Sequence, residues 1–384
     1  MNNFEFYCPT KMVFGKGSIA KLSELIKKDK KVLMIYGGGS IKKNGVYEQV
    51  KEALKEHTVL EFSGIEPNPT YETCMKAVEI VKKENIDFLL AVGGGSVLDG
   101  TKFITVTSKY EGEEPYDLVA KELPFYEALP IGSVMTLPAT GSEMNCASVI
   151  SRLSTQEKFA MRNPAVYPKF SIIDPETTYS LPIKQVRNGI VDTFAHVMEL
   201  YATYDVNTPV QDSWALGLIK TLIKEAPKVF ENKMDYDAKA NICWCATCGL
   251  NYWLSVGAVQ DWSTHRIGHE LTALYGLDHG QSLAIVLPRL WQERKQEKAQ
   301  KLAKLAREVF GCPETDDLKA ADCAIEKTEE FFNSLGMLTK LSDYNINSLE
   351  AAQKIKERFE KRGTLLGEDF KVTPQMIYDI LKKC

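Results

Sequence analysis

Apolar residues in the first half of the chain come in short blocks that alternate with amphipathic stretches. Residues 31 to 36, "KVLMIY", form an apolar run that stops at "GGGS" and opens into the helix-like "IKKNGVYEQVKEALKEH". The same grammar returns at residues 86 to 92, where "IDFLLAV" stops at a second "GGGS" and opens into "VLDGTKFITVTS". Between them, "YETCMKAVEIVKKEN" repeats apolar residues every three or four positions, the period of an amphipathic helix. With the strand-like "LPIGSVMTLPA" and "FSIIDP" further on, this pattern predicts an α/β domain whose mostly parallel sheet is covered on both faces. From about Leu181 the spacing is helical, with scarcely a strand candidate, so the second half reads as all-α. Two prolines in "DPETTYSLPIKQ" interrupt regular structure and set the expected division: an α/β domain over residues 1–181 and a helical domain over 182–384.

Composition narrows the function classes. Of 384 residues 44% are hydrophobic, enough for a large core, and a formal net charge of only -4 comes without any basic block interleaved with aromatics. Nucleic acid is therefore not an expected partner. No apolar run approaches the roughly 18 residues that span a bilayer, and the first residues lack a signal pattern, so no membrane partner and a cytoplasmic location are expected. Nine cysteines in no paired framework fit a reducing compartment, and the cluster Cys243, Cys245, Cys248 reads as buried thiols rather than a metal site.

The two glycine turns bear on a coenzyme. A backbone that approaches a pyrophosphate cannot carry a Cβ in the way, and the helix that follows offers free N–H groups and a partial positive charge. Either turn alone could be an ordinary tight connection; two in successive strand–helix units favour a dinucleotide. No carboxylate follows the first strand, where one would accept hydrogen bonds from a ribose hydroxyl and repel a 2′-phosphate, and Lys42 and Lys43 come within a turn. The expected coenzyme is NADP(H), with NAD(H) as the alternative.

Three of five histidines crowd into "DWSTHRIGHELTALYGLDHGQSLAIVLP". His265 and His269 are four apart on a predicted helix, which puts both on one face, and Asp192 and His196 repeat that spacing in "NGIVDTFAHVMELY". His279 sits in a glycine-flanked turn, while His57 in "KEALKEH" reads as exposed. A carboxylate with neutral imidazoles makes a nitrogen and oxygen site suited to Fe²⁺ or Zn²⁺. Spacing alone leaves open which three or four of these groups bind. "HRIGHE" puts Glu270 after the second histidine and so does not match the metalloprotease motif.

Paired GGGS turns, "TLPATGSEMN", "DPETTYSLP", D-x-x-x-H and "THRIGHELTALYGLDHG", in this order over nearly the whole chain, resemble the iron-containing (group III) alcohol dehydrogenase family, and within it the butanol dehydrogenase and NADPH-dependent aldehyde reductase branch. The resemblance implies a dehydroquinate-synthase-like architecture, with a dinucleotide-binding α/β domain, an all-α C-terminal domain, an active site in the cleft and a homodimer. It puts the metal ligands at Asp192, His196, His265 and His279 and makes His269 a non-ligand histidine near substrate, a candidate proton relay. Coenzyme positions carry over to Gly37, Gly38, Gly39 and Ser40, to Asn68, to Gly94, Gly95, Ser96 and Asp99, and to Thr136, Thr140, Ser142 and Lys158. The stretch "PATGSE" is shorter than the family's usual one, which bears on Thr136. The implied reaction is hydride transfer between NADP(H) and small alcohols or aldehydes, with apolar neighbours expected at Val149, Trp253 and Leu254. The rival readings are a dehydroquinate-synthase-like lyase that uses a metal and NAD, and a non-catalytic metalloprotein.

Overall fold

The computed structural model describes residues 1–384. Its strands are β1 (Lys11–Phe14), β2 (Lys31–Tyr36), β3 (Thr58–Ser63), β4 (Phe88–Gly94), β5 (Ile131–Leu137), β6 (Ala147–Arg152), β7 (Glu157–Arg162) and β8 (Phe170–Ile173). Six of them form one sheet in the order β1-β8-β5-β4-β2-β3, with every pairing parallel. The inner strands β2, β4 and β5 are buried along almost their whole length, as expected of a parallel sheet covered on both faces, and this is why they read as unbroken apolar runs. The edge strand β3, "TVLEFS", mixes apolar and polar residues, is only partly buried and carries Glu61, so it escaped the sequence reading. So did β1 and the antiparallel β6–β7 hairpin, whose pattern is mixed.

Strand order explains the placement of the glycine turns. The chain leaves β2 for β3 on one side and returns to β4 on the other, so the direction of winding reverses between β2 and β4. Crevices at such switch points, outside the carboxyl ends of the strands, are where open α/β sheets bind ligands. Tyr36 pairs with Val92 across β2 and β4, so Gly37–Gly39 and Gly93–Gly95 leave the sheet side by side at that crevice. The helix expected after the first turn is broken: Ser40–Lys43 and Val46–Ala53 are separate helices, because Gly45 stands at φ 79°, outside helical space.

The chain gathers into two compact units, each with its own core. One holds Tyr7–Pro182 together with Asn232–Thr247; the other holds Met1–Phe6, Ile183–Glu231 and Cys248–Cys384. Two segments thus cross the single cut expected between residues 181 and 182. Most of the helix Tyr236–Gly249 joins the sheet unit, since Cys243 packs on Met135 and Ile173 and the Trp244 ring meets Phe14 edge-on at 6.0 Å. The N-terminal residues join the helical unit, where Asn2 N donates to Gly257 O at 2.9 Å. The second half is helical as expected, and its one strand-like feature is the bridge between Leu366 and Val372. Its core includes Ile267, Leu271, Ile285 and Leu290 from the histidine-bearing region, packed with Ile355, Phe359 and Ile377. No helix is long and apolar enough to cross a membrane.

The glycines of the second turn are demanded by the protein's own packing. A Cβ on Gly93 would lie 2.5 Å from Val97, and one on Gly95 would lie 2.5 Å from the Thr140 side chain. A Cβ on Gly38 would meet nothing within 4 Å. Gly95→Ala is expected to cost about 1–3 kcal/mol through overpacking, and Gly38→Ala about 0.5 kcal/mol or less. Thermal unfolding midpoints of the two variants check this, and equal midpoints would contradict it.

Candidate metal centre and nucleotide turns

In the sheet unit, hydrogen bonds tie the expected coenzyme residues into two connected groups beside the second turn. Asn68, at φ 58°, receives Lys158 Nζ on its Oδ1 at 2.8 Å, and its own N–H donates to Ser96 Oγ at 3.3 Å. Asp99 is half-buried with both carboxylate oxygens taken: Ser142 Oγ donates to Oδ1 at 2.7 Å and Val149 N to Oδ2 at 3.1 Å. Ser142 N in turn donates to Thr140 Oγ1 at 3.2 Å, and Thr136 is buried on β5. Lys102, which the sequence reading passed over, anchors this turn from below. Fully buried, it donates to Ser142 O at 2.7 Å, Ser142 Oγ at 2.8 Å, Asn145 Oδ1 at 3.0 Å and Ala147 O at 2.9 Å. Burial lowers its pKa to about 8 against the opposing pull of Asp99. In sequence it looked like one more helix lysine.

The first turn, Gly37 to Ser40, is more open, and it has an acidic neighbour that sequence order hid. Glu61 on the adjacent β3 accepts Tyr36 OH at 3.0 Å, Tyr47 OH at 2.7 Å and Lys51 Nζ at 3.3 Å. The Lys42 ammonium lies 5.2 Å and 4.8 Å from the centres of the same two tyrosine rings.

In the helical unit, three helices converge their side chains. Asp192 and His196 lie one turn apart on Ile183–Tyr201. His265 and His269 lie one turn apart on Ser263–Tyr275, and His279 opens His279–Glu293. That last helix begins where it does because Asp278 and Gln281 form a capping box, and Asn188 Nδ2 holds Asp278 at 2.8 Å. Donor atoms of Asp192, His265 and His279 lie within 4.8 Å of one another. Asp192 Oδ1 is 3.6 Å from His265 Nε2, 3.4 Å from His279 Nε2 and 3.6 Å from His196 Nδ1. His196 lies outside the mutual set of three but stacks on His265 with ring centres 4.6 Å apart. His269 stands beside the cluster, 5.5 Å from the His279 ring and 6.3 Å from His265.

These spacings fit a cation. Asp192 Oδ1 and His265 Nε2 are both buried and neither has a hydrogen-bond partner, an expensive arrangement for a carboxylate in a protein interior. Separations of 3.4–3.6 Å are poor for hydrogen bonds but match the edge of a coordination tetrahedron, about 3.4 Å for bonds of about 2.1 Å. In the metal-free protein, burial opposes charge on both groups, yet the surrounding imidazoles hold Asp192 well below the usual carboxylate range. Glu199 and Asp192 outweigh the same burial at His265 and raise it to about 9.

Other expectations fare variously. Cys243, Cys245 and Cys248 are buried thiols outside any disulfide, as expected. His57 is half-buried rather than exposed, with Nε2 3.0 Å from Ile26 O. Trp253 pairs with Trp214 at 6.5 Å, and Leu254 lines a small internal cavity near Lys301. Trp262 is an aromatic neighbour of the histidine cluster, 5.3 Å from the His265 ring and 6.2 Å from His196. Glu199, seven residues beyond Asp192 on the same helix, is a second omission: its carboxylate accepts from His265 Nδ1. The i, i+4, i+7 spacing of Asp192, His196 and Glu199 was the available signal.

Coenzyme-type turns and a cluster that calls for a cation, carried by one chain, point to an oxidoreductase. A model described as iron-containing alcohol dehydrogenase matches residues 9–175, and one for the C-terminal part of the same family matches residues 187–384. The chain is 48% identical over 377 residues, 97% of each chain, to the NADPH-dependent aldehyde reductase YqhD of Escherichia coli strain K12. It is 37% identical over 389 residues, the full length of both, to NADH-dependent butanol dehydrogenase A of Clostridium acetobutylicum. Among solved structures, the NADH-dependent butanol dehydrogenase A of Thermotoga maritima superposes with a TM-score of 0.94 at 38% identity, covering 100% of this chain and 98% of the other. The chain belongs to the iron-containing alcohol dehydrogenase family.

A chelator should expose the charge on His265. Its raised pKa contributes stability that is complete below about 6.5 and is lost as pH rises through about 9. The unfolding midpoint of metal-free protein is therefore expected to fall between pH 6.5 and pH 9, while metal-loaded protein, whose histidine ligands are neutral, shows no such step. A flat profile without metal would contradict the assignment. His265→Ala is expected to abolish stoichiometric metal uptake, as read by elemental analysis.

Proposed function

We propose that this oxidoreductase reduces small aldehydes to primary alcohols, and runs the reverse reaction, with NADP(H) and one divalent cation, Fe²⁺ or Zn²⁺. The observation that carries the reading is Asp192 Oδ1, buried without a hydrogen-bond partner and 3.4–3.6 Å from three imidazole nitrogens. Asp192, His196, His265 and His279 are the ligands in this reading. Gly37, Gly38, Gly39, Ser40, Asn68, Gly94, Gly95, Ser96, Asp99, Thr136, Thr140, Ser142 and Lys158 serve the coenzyme, Asp99 and Ser142 by bracing the turn. When bound, the cation supplies Lewis acidity toward the carbonyl oxygen and the reduced nicotinamide supplies the hydride.

The protein's own groups do the rest. His269 is buried beside the cluster, near enough to deliver the proton that the product alcohol needs, and outside the ligand set. Trp262 offers an apolar ring at the histidines, in keeping with a small, uncharged substrate. For the coenzyme, relatives are named for both NADPH and NADH. NADP(H) is favoured here because Glu61 is already engaged by two phenols and Lys51, while Lys42 stands beside the first turn. The family favours a dehydrogenase over the lyase alternative. A cytoplasmic homodimer completes the reading, on family likeness.

Purified protein given NADPH and butanal should consume the reduced nicotinamide, and a chelator should stop it; no turnover with any small aldehyde would refute the activity. kcat/KM is expected to be higher with NADPH than with NADH, and the reverse order would overturn the coenzyme choice. His269→Ala should lower kcat by about 10²–10⁴-fold with metal content unchanged, whereas loss of metal would make His269 a ligand.

A further inference from the structure

Glu199 is 3% exposed and its two carboxylate oxygens meet three N–H groups of the neighbouring helix. Oε1 accepts from Thr264 N at 2.7 Å and from His265 N at 3.3 Å, the free amides of the first turn of Ser263–Tyr275. Oε2 accepts from His265 Nδ1. In metal-loaded protein, where His265 is neutral, an ionised carboxylate has no proton to offer, so the proton between them belongs to the imidazole Nδ1 and Nε2 keeps its lone pair toward Asp192. One side chain therefore starts the helix and orients the ring that the helix carries.

We propose that Glu199 is the positioning residue of the metal centre: it fixes His265 as the Nδ1–H tautomer and thereby sets cation affinity. The inference rests on reading His265 as a ligand. A glutamine at this position cannot satisfy the same partners. With its oxygen toward His265 Nδ1, its NH₂ group faces two amide N–H groups; with its NH₂ toward Nδ1, the imidazole proton moves to Nε2, the nitrogen meant for the cation.

A plain helix cap would predict something else, and Asp261 supplies the contrast. Asp261 Oδ1 accepts from Ser263 N at 2.9 Å and Ser263 Oγ at 2.6 Å, at the start of the same helix, and Asp261 Oδ2 is paired with the buried Lys298 Nζ at 2.9 Å. Asp261 N donates to Glu199 O at 2.9 Å, so the two residues hold the same junction. Asp261 steadies the helix through Ser263 and Lys298.

The test is Co²⁺ affinity, by chelator competition, for wild type, Glu199→Gln and Asp261→Asn, with the thermal midpoint of each metal-free protein. Glu199→Gln should bind Co²⁺ about 10–100-fold more weakly and with an altered ligand-field spectrum, while Asp261→Asn lowers the midpoint but keeps affinity within about threefold. Equal losses of affinity in both variants, or none in Glu199→Gln, would overturn the proposal. Should Glu199→Gln not fold, ¹⁵N spectra of histidine-labelled wild type loaded with Zn²⁺ decide it: a protonated Nδ1 on His265 supports the assignment, and a protonated Nε2 ends it. Wild type that takes up no Co²⁺ would instead remove the metal centre, and the inference with it.

Discussion

A carboxylate oxygen withdrawn from water and left without a hydrogen bond is among the costliest things a fold can contain, and Asp192 Oδ1 is in that state. Three imidazole nitrogens stand 3.4–3.6 Å from it, distances poor for hydrogen bonding. The arrangement makes sense once a cation supplies the missing partner. Much of the helical unit serves this constraint. The helices that carry the cluster, Ile183–Tyr201, Ser263–Tyr275 and His279–Glu293, are buried along the faces that bear these side chains; Asp278 fixes the start of the third, and Asp261 and Glu199 together fix the start of the second. Metal affinity in such a site would be partly folding energy, because only the folded chain brings these three helices together.

The sheet unit solves a different problem by topology. Reversal of winding between β2 and β4 opens a crevice at their carboxyl ends, and both glycine turns stand there. The glycines of the second turn owe their identity to contacts with Val97, Leu137 and Thr140, whereas Gly38 has open space about it. Glycine in such a motif is thus required for two distinct reasons, tight packing of the turn on itself and room for a ligand. Sequence alone does not separate them.

What was legible in the sequence follows the same physics. The inner strands β2, β4 and β5 stood out because burial on both faces leaves an unbroken apolar run. β3 and the β6–β7 hairpin did not, because they are only partly buried and polar residues on the exposed positions dilute the pattern. The histidines were conspicuous through scarcity and helical spacing, and the spacing placed Asp192 with His196 and His265 with His269 on shared faces. Glu199, Lys102 and Trp262 were overlooked since each looks ordinary in its helix or loop and acquires meaning only from a partner 40 or more residues away in two cases, and from two imidazoles in the third. The capture of Tyr236–Gly249 by the sheet unit had no local signal; it depends on which core receives Cys243 and Trp244.

Three buried or half-buried carboxylates show how an acidic residue's role is decided by counting its donors. Asp99 has both oxygens occupied by Ser142 and Val149, and is a brace with nothing left to offer a ligand's hydroxyl from those contacts. Glu61 is engaged by two tyrosines and a lysine, which blunts its charge. Asp192 alone keeps an oxygen with no donor, amid groups that are neutral when they act as ligands. A hydrogen-bonded carboxylate is already at rest; an unsatisfied one among imidazole nitrogens is costly by itself, and a positive ion of small radius would satisfy the donor atoms of Asp192, His265 and His279 at once. Chemistry at this site is therefore written into the donors that the fold withholds from Asp192 as much as into the ligands it supplies.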